Sequence, residues 1–599
     1  MGFLRTRRAA MEAFEAHVHG VDTMAAAPSD GAPSPQVPGG RRTRRLGEIL
    51  MEAGLLTPEQ LQQALEAQAT SGRRLGDQLV TSGLLDERTL ARALAEQYGL
   101  RQVDLRHEEP AAPALGLLDE AAARELLAVP LRLDGDALEV AVADPSLPGL
   151  DRVLEEAVGR RVRLRVASLS DVRHTLDRAY KATDRIDEHV RRFEERVARR
   201  QPASDAPTIT VADDAPVVQI VQAILDQAVR ERASDVHIEP MADRIRVRNR
   251  VDGALHEVLT LPVLIGPTLV SRIKVLAGMN IVERRRPQDG QMEVQVGEAK
   301  IDVRVATTAT VHGEKCVMRL LDKRQSLFDL AELGMPASTY ERYLELARAP
   351  YGMMVCAGPT GSGKTTTLYA TLAKIARDEI NVMTVEDPVE YSFPGINQIQ
   401  INEQAGITFA DGLRSILRQD PDCILVGEIR DAQTARMAVQ SALTGHLVLS
   451  SIHATDAVSA MLRFVDMGIE PFLVAASILG VVGQRLVRRI CPECRIPYDP
   501  PTEERAVWDA YRMPPKDTFV RGQGCTFCSG TGYQGRIGVY EVLRSDERTR
   551  ELLVAGGPHA VLREAAEAAG MRPMLAQAMD LVARDVTTLA EVTRTLFVF

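Results

Sequence analysis

The sequence predicts a multidomain α/β chain. A phosphate-loop nucleotide-binding domain with a tetracysteine insertion follows an α+β domain, and before that comes a helical repeat joined to a small α/β unit. Three observations carry this. At 599 residues the chain exceeds what one hydrophobic core organises. Tyr351–Arg377 reads as strand, glycine-rich loop and helix, and apolar strands alternate with helices after it. Near the start, Arg45–Gln68 and Arg74–Gln97 align without gaps as two 24-residue units.

Taken in order, residues 1–40 include the run AAAPSDGAPSPQVPGG and are expected to form a disordered leader, since they have too little apolar surface to order themselves. Residues 41–180 form a regulatory or docking domain that opens on the repeat. Each unit begins Arg-Leu-Gly, carries a central Gly-Leu-Leu and closes Leu-x-x-Ala-Leu-x-x-Gln. Its leucines fall at i, i+3 and i+4, which predicts two short amphipathic helices per unit. Gly54 and Gly83 mark the end of the first helix, and Thr57 and Asp86 cap the start of the second. From Val103 to Tyr180 short strands and helices alternate. Residues 181–215 are strongly charged and end in Pro and Ser, which reads as a partly helical linker. Residues 216–335 open with a helix and continue in strands (DVHIEP, RIRVRNRVDG, KIDVRVATT), and residues 336–599 form the nucleotide-binding domain, with the cysteine insertion at 488–545.

Composition narrows the function classes. Apolar residues at 45% and charged residues at 26% are ordinary for a soluble globular chain. A net charge of −10 argues against direct nucleic-acid binding, which needs a basic face. The longest apolar run, Pro471–Gly483, is too short to span a bilayer, and the basic first twenty residues lack the apolar core of a secretory signal, so a cytoplasmic location is expected.

The chemistry concentrates in the C-terminal half. Gly358, Pro359, Thr360, Gly361, Ser362, Gly363, Lys364 and Thr365 match the phosphate-loop pattern in full, and Thr366 continues it into the helix. Such glycines let main-chain N–H groups point at phosphates on a helix N-terminus; Lys364 reaches the β- and γ-phosphates of ATP and Thr365 holds Mg²⁺. In VMTVEDPVEY, Glu386, Asp387 and Glu390 follow a strand, where acidic groups face a nucleotide. Glu428 in DCILVGEIRD occupies the Walker B position and is the second Mg²⁺ candidate. His446 and His453 flank a strand in TGHLVLSSIHATDA and are candidates to sense the γ-phosphate. Glu390 and Glu428 compete for the task of polarising the attacking water. Cys491-Pro-Glu-Cys494 and Cys525-Thr-Phe-Cys528, 30 residues apart, form two knuckles; four thiolates give a closed tetrahedral site, hence structural Zn²⁺. Cys316, Cys356 and Cys423 lie in apolar strands and are read as core.

The phosphate loop, TVEDPVE, ILVGEIRD and TGHLVLSSIHATDA, in this order and after ASDVHIEP, RVRNRVDG and DVRVATTATVHGEKCVMRLLDK, closely resemble the secretion ATPase superfamily of type II secretion and type IV pilus systems. The resemblance runs from Val217 to Phe599. It implies a RecA-like ATPase domain after a PAS-like domain, a homohexamer with each site between these two domains, and arginines that stabilise the transferring phosphoryl group: Arg304, Arg319, Arg414 and Arg418. One departure is Ser-Ser-Ile-His-Ala-Thr-Asp, where the family has Thr-Leu-His-Thr-Asn; His453 is retained. The zinc insertion implies an assembly or secretion motor rather than a retraction motor. The implied partners are an inner-membrane platform protein and a cytoplasmic docking protein, with peripheral membrane association through them. A motor for a DNA-uptake pilus is the other reading. The N-terminal repeat resembles the cyclic di-GMP-binding domain of some assembly ATPases, which implies ligand contacts at Arg45, Gly47, Gln68, Arg74, Gly76 and Gln97. A module that only docks a membrane partner is its alternative.

Overall fold

A computed structural model describes residues 44–180, 186–199, 215–296, 299–321, 329–402 and 405–596. The expected leader lies outside these residues. The chain forms two compact units, one made by residues up to Asp104 with Pro110–Arg173, the other by Leu105–Glu109 with the chain from His174 onward.

In the first unit each repeat folds into a helix pair, α1 (Leu46–Glu52) with α2 (Pro58–Ser71) and α3 (Leu75–Thr81) with α4 (Glu87–Tyr98). The Thr57 hydroxyl accepts the Gln60 N–H and the Asp86 carboxylate accepts that of Thr89, so both second helices are capped as the sequence predicts. Ile49, Leu50, Leu56, Leu79 and Leu85 make the shared core. Beside it lies a four-stranded sheet in the order β1 (Arg101–Gln102), β4 (Arg161–Val166), β3 (Ala137–Val142), β2 (Ala128–Asp134).

In the second unit, Ile186–Arg199, within the span read as a partly helical linker, forms helix α5 and packs on α6 (Ala215–Arg230). Ile186, Val190 and Phe193 recur at i, i+4 and i+7 and are buried in the next domain's core, so one apolar stripe within a charged segment suffices to dock it. The rest of the expected linker, 181–185 and 200–214, lies outside the described residues.

Next comes a six-stranded antiparallel sheet: β5 (Asp235–Pro240), β6 (Arg244–Val251), β7 (Ala254–Pro262), β8 (Gln288–Val296), β9 (Ala299–Thr310) and β10 (Gly313–Leu321), ordered β7-β6-β5-β10-β9-β8. Strict alternation in β6 puts Ile245, Val247 and Asn249 into the core and Arg246, Arg248 and Arg250 on the other face. There the Glu239 carboxylate, only 6% exposed, accepts hydrogen bonds from Arg246 (3.1 Å), Arg248 (2.9 Å) and Lys315 (3.0 Å).

The C-terminal domain is built on a seven-stranded sheet. In order these are β13 (Asn397–Gln400), β12 (Val382–Glu386), β14 (Cys423–Val426), β15 (Leu447–Ile452), β11 (Gly352–Ala357) and β16 (Ile478–Ile490), all parallel, and then β19 (Tyr533–Arg544), antiparallel to β16. Strands β11, β12, β14 and β15 are buried at every residue, as a parallel sheet covered on both faces requires. A two-stranded ribbon, β17 (Arg495–Tyr498) with β18 (Phe519–Gly522), carries the cysteine insertion. Cys316, Cys356 and Cys423 are buried in strands β10, β11 and β14, and burial pushes their thiols up to about 12.

Burial alone would raise the Glu239 pKa, but the hydrogen bonds from Arg248, Lys315 and Arg246 outweigh it and hold the carboxyl at about 2. The folded value lies below the ordinary 4.5, so this stabilisation is complete above pH 4.5 and is lost as the pH falls toward 2. Glu239→Gln is expected to weaken the sheet by about 3 kcal/mol at pH 7. Hydrogen exchange of β5 and β6 amides in the full chain should then show roughly a hundredfold loss of protection. The difference from wild type should shrink near pH 3.

Candidate functional site

Strand β11 ends at Ala357, the loop turns through Gly361 and Gly363 at φ of +77° and +88°, and helix α7 (Lys364–Ile375) begins at the lysine. Only glycine adopts these dihedrals without strain. Gly358 answers a different demand: a Cβ there would lie 2.7 Å from the Gln484 carbonyl oxygen, so the loop lies directly on the backbone of β16. The Gln484 side chain accepts the Thr367 hydroxyl at 2.8 Å and the Cys356 thiol at 3.4 Å, which ties helix and strand to that floor. Gln484 was not read from the sequence; the signal was a lone amide directly after the apolar run Ile478–Gly483.

The cradle fits a polyphosphate. The Lys364 ammonium donates only to the carbonyls of Gly358 (2.9 Å) and Pro359 (3.0 Å), and burial lowers its pKa. The Ser362 hydroxyl is buried without a partner. Pro359, Thr360, Gly361, Thr365 and Thr366 are exposed at the mouth and first turn, where a helix N-terminus presents free N–H groups.

Glu428 follows β14, pairs with Arg430, and lies 3.5 Å from His453 Nε2; its charge acts on Lys364. Thr365 and Glu428 are the residues that would hold Mg²⁺. Burial, and after it the Lys364 charge, lowers the His453 pKa, so its imidazole is neutral at neutral pH. Glu390 meets Arg304 of β9 in a two-pronged pair at 2.9 and 3.1 Å, both side chains about one-quarter exposed. The pair borders a cavity lined also by Gln291, Asp302, Pro388 and Gln400.

Other sequence candidates lie elsewhere. Glu386 is buried and bound by the Tyr369 hydroxyl, Thr384 (2.6 Å) and Gln398 (3.2 Å), so it braces the acidic loop from beneath instead of facing a nucleotide. Tyr369 also accepts the Glu390 N–H at 3.2 Å, making helix α7 the support of that loop. His446 precedes β15, which runs parallel to β11 with Leu447 beside Gly352. It therefore sits at the opposite end of the sheet, about 20 Å from the loop at 3.3 Å per residue, and its Nδ1 bonds the Ser441 carbonyl and Thr444 hydroxyl. Arg319 pairs with Asp235 at 3.0 Å, Arg414 pairs with Asp411 on helix α8 (Phe409–Ile416), and Arg418 is exposed just beyond that helix.

The four cysteine sulfurs lie within 4.8 Å of one another, with edges of 3.8 Å (Cys525–Cys528) and 3.9 Å (Cys491–Cys525, Cys494–Cys528). A tetrahedron with Zn–S bonds of about 2.3 Å has edges of about 3.8 Å, so the set fits zinc. Amides of Cys525 and Gly532 donate to the Cys528 sulfur at 3.2 Å, as a thiolate ligand requires.

In the first unit, Gly47 and Gly76 are buried where a Cβ would lie about 3 Å from Leu61 and Leu90, so close helix packing alone accounts for them. Arg45 is exposed; Arg74 pairs with Asp144 and donates to Ser146 at 3.0 Å; Gln68 and Gln97 are half-buried.

A nucleotide cradle with an acidic strand end, a histidine and a tetracysteine knob in one α/β domain defines a phosphate-loop ATPase, and residues 210–594 match the family described as "Type II/IV secretion system protein", to which the chain belongs. Residues 98–186 match the MshEN domain, a match that begins just after the second repeat unit. Among relatives, the type IV pilus assembly ATPase PilB of Myxococcus xanthus is 40% identical over 557 residues, covering 92% of this chain and 98% of the relative. The type II secretion system ATPase E of Vibrio cholerae is 45% identical over 383 residues, 64% of this chain and 76% of the relative. A solved structure described as MshE with cdg is 36% identical and covers 23% of this chain and 99% of its own, with a TM-score of 0.22. Among the described residues no helix is long and apolar enough to cross a membrane.

Elemental analysis of the purified chain is expected to give one zinc per chain, and Cys494→Ser or Cys525→Ser to lose it. Because a closed site contributes its binding free energy to folding, metal loss should speed hydrogen exchange across 488–545 while β11 and β14 stay protected.

Proposed function

We propose that this ATPase is the cytoplasmic motor that extrudes pilin-like subunits in a type IV pilus or type II secretion machine. In this reading it works as a homohexamer, held at the inner-membrane face by a platform protein and a cytoplasmic docking protein. The observation that carries it is the Arg304–Glu390 fork, because it joins an acidic candidate of the ATPase domain to an arginine of the preceding six-stranded domain, which we read as the PAS-like domain.

ATP enters with its phosphates over Gly358–Thr366, where the helix N-terminus and Lys364 meet their charge. Mg²⁺, held by Thr365 and Glu428, would offset charge on the β- and γ-phosphates. Glu390, freed from Arg304, accepts a proton from the attacking water, and Arg304 turns to the charge that develops on the transferring group. The neutral His453 beside Glu428 reports whether the γ-phosphate is present. Exchange of the Arg304 partner swings one domain against the other, and that hinge is the power stroke. Arg319, Arg414 and Arg418 serve the same charge from a neighbouring copy.

For the N-terminal domain we propose cyclic di-GMP binding at the repeat, supported by both complete units and by the adjoining MshEN match. Docking without ligand is the second reading, favoured by the pairing of Arg74 with Asp144 in the structure.

Lys364→Ala is expected to abolish ATP turnover and filament or secretion output with oligomer and fold intact; full turnover would refute the motor reading. Glu390→Gln should lower kcat by two or more orders of magnitude and leave ATP affinity within a few-fold, because it removes the base and not the cradle. Calorimetry of the full chain with cyclic di-GMP should give saturable binding that Arg45→Ala with Arg74→Ala removes. Absence of heat in the wild type would leave the docking reading.

A further inference from the structure

Strand β16 runs parallel to β11 with Gly483 beside Ala357, so Gln484 and Arg485 are level with the first residues of the phosphate loop. Gln484 points under the loop, and Arg485 follows it half-buried. The Arg485 guanidinium donates to two main-chain carbonyls, Gln484 (3.1 Å) and Thr455 (2.7 Å). Among the described residues no carboxylate pairs with it, in contrast to Arg304, Arg319, Arg414 and Arg430. The acids nearest in effect, Glu541 and Asp456, are committed: Glu541 to the amide of Ala457 (2.7 Å), and Asp456 to His559 (3.0 Å) and the Ser459 amide (2.8 Å).

Half-buried guanidinium groups are ordinarily matched by carboxylates, because desolvated positive charge is costly without an anion. Here it lies beside a second cation with carbonyl partners only, and the two repel: Arg485 helps depress the Lys364 pKa after burial does. Two neighbouring cations at a phosphate loop, each hydrogen-bonded to carbonyls and neither to a carboxylate among the described residues, form a receptor for an anion carrying more than one charge.

We propose that Arg485 is a further phosphate-binding residue of the nucleotide site, a guanidinium from the same chain and domain as Lys364 that takes phosphate oxygens of the bound nucleotide. This rests on the assignment of Gly358–Thr366 as the nucleotide cradle. Its contact to Thr455, two residues past His453, places it where occupancy of the cradle is felt by the histidine loop.

The test compares Arg485→Gln, which keeps an N–H donor for the main-chain carbonyls without charge, with Arg485→Lys, which keeps the charge, in the full-length protein. ATP and ADP dissociation constants, the ATP-induced shift in melting temperature and the nucleotide-free melting temperature are measured for each. Arg485→Gln should weaken nucleotide binding about tenfold or more and lose most of the ATP-induced shift. Arg485→Lys should stay within a few-fold of wild type, and neither should change nucleotide-free melting. Equal loss in both variants with unchanged nucleotide-free melting also supports the proposal and adds that the planar fork is needed. Wild-type affinity in both variants overturns it, as does equal loss with lowered nucleotide-free melting, which makes Arg485 a brace for Thr455. Failure of the cradle assignment looks different: the wild type itself then binds no ATP.

Discussion

Phosphate binding demands that positive charge be concentrated, held still and kept partly dry before any anion arrives. The rest of the ATPase domain follows from that demand. A helix N-terminus and an ammonium group converge at the end of β11, and each needs a provisional partner. Lys364 takes the carbonyls of its own loop, which hold it in place but neutralise nothing. The rigid floor is Gln484, whose side chain satisfies a threonine and a thiol and whose backbone leaves Gly358 no room for a side chain. The buried strand β11 beside it, itself backed by the buried β15, gives that floor its stiffness, because a sheet covered on both faces cannot shift one strand without opening voids.

In the mechanism we propose, the same electrostatics act as a switch across the domain boundary. In the Arg304–Glu390 fork the group to which we assign the role of base and the arginine to which we assign phosphate contact neutralise each other. A pair about one-quarter exposed is modestly stable, since water screens part of it. A γ-phosphate offers the guanidinium more charge and a matching bidentate geometry, so in this proposal arrival of the nucleotide breaks the fork. The proposed exchange of partners would couple the two domains with no need for a long chain of contacts.

What the sequence made legible was chemistry of short range. The phosphate loop, the capped repeat helices and the two cysteine knuckles are each set by spacings of a few residues, and the fold realises them. Glu386 and His446 were misplaced for one reason: each borders a buried strand, but nothing local says which strand end faces the ligand or which way a strand residue points. Glu386 and Glu390 differ by four residues, and only the Tyr369 hydroxyl, reaching over from α7, separates a buried brace from a site residue. Gln484 lies 117 residues from the threonine it holds, a distance at which no pattern in one sequence pairs them. The helical character of α5 was legible, but its docking was not, because its three apolar residues are diluted by surrounding charge.

The N-terminal repeat obeys the same rule of committed charge in a milder form. Arg74 is partnered by Asp144 and Ser146, so any ligand that takes it must offer at least what those two supply. A neutral ligand cannot, because it would trade a charge-assisted contact for a weaker one. An anionic diester can, and the released Asp144 carboxylate, already about one-third exposed, returns to water at small cost. Selectivity of the proposed ligand site for an anion would thus be set by the resting partner of the arginine as much as by the arginine itself. That is the logic of the phosphate loop, where the resting partners of Lys364 are carbonyls that a phosphate readily replaces.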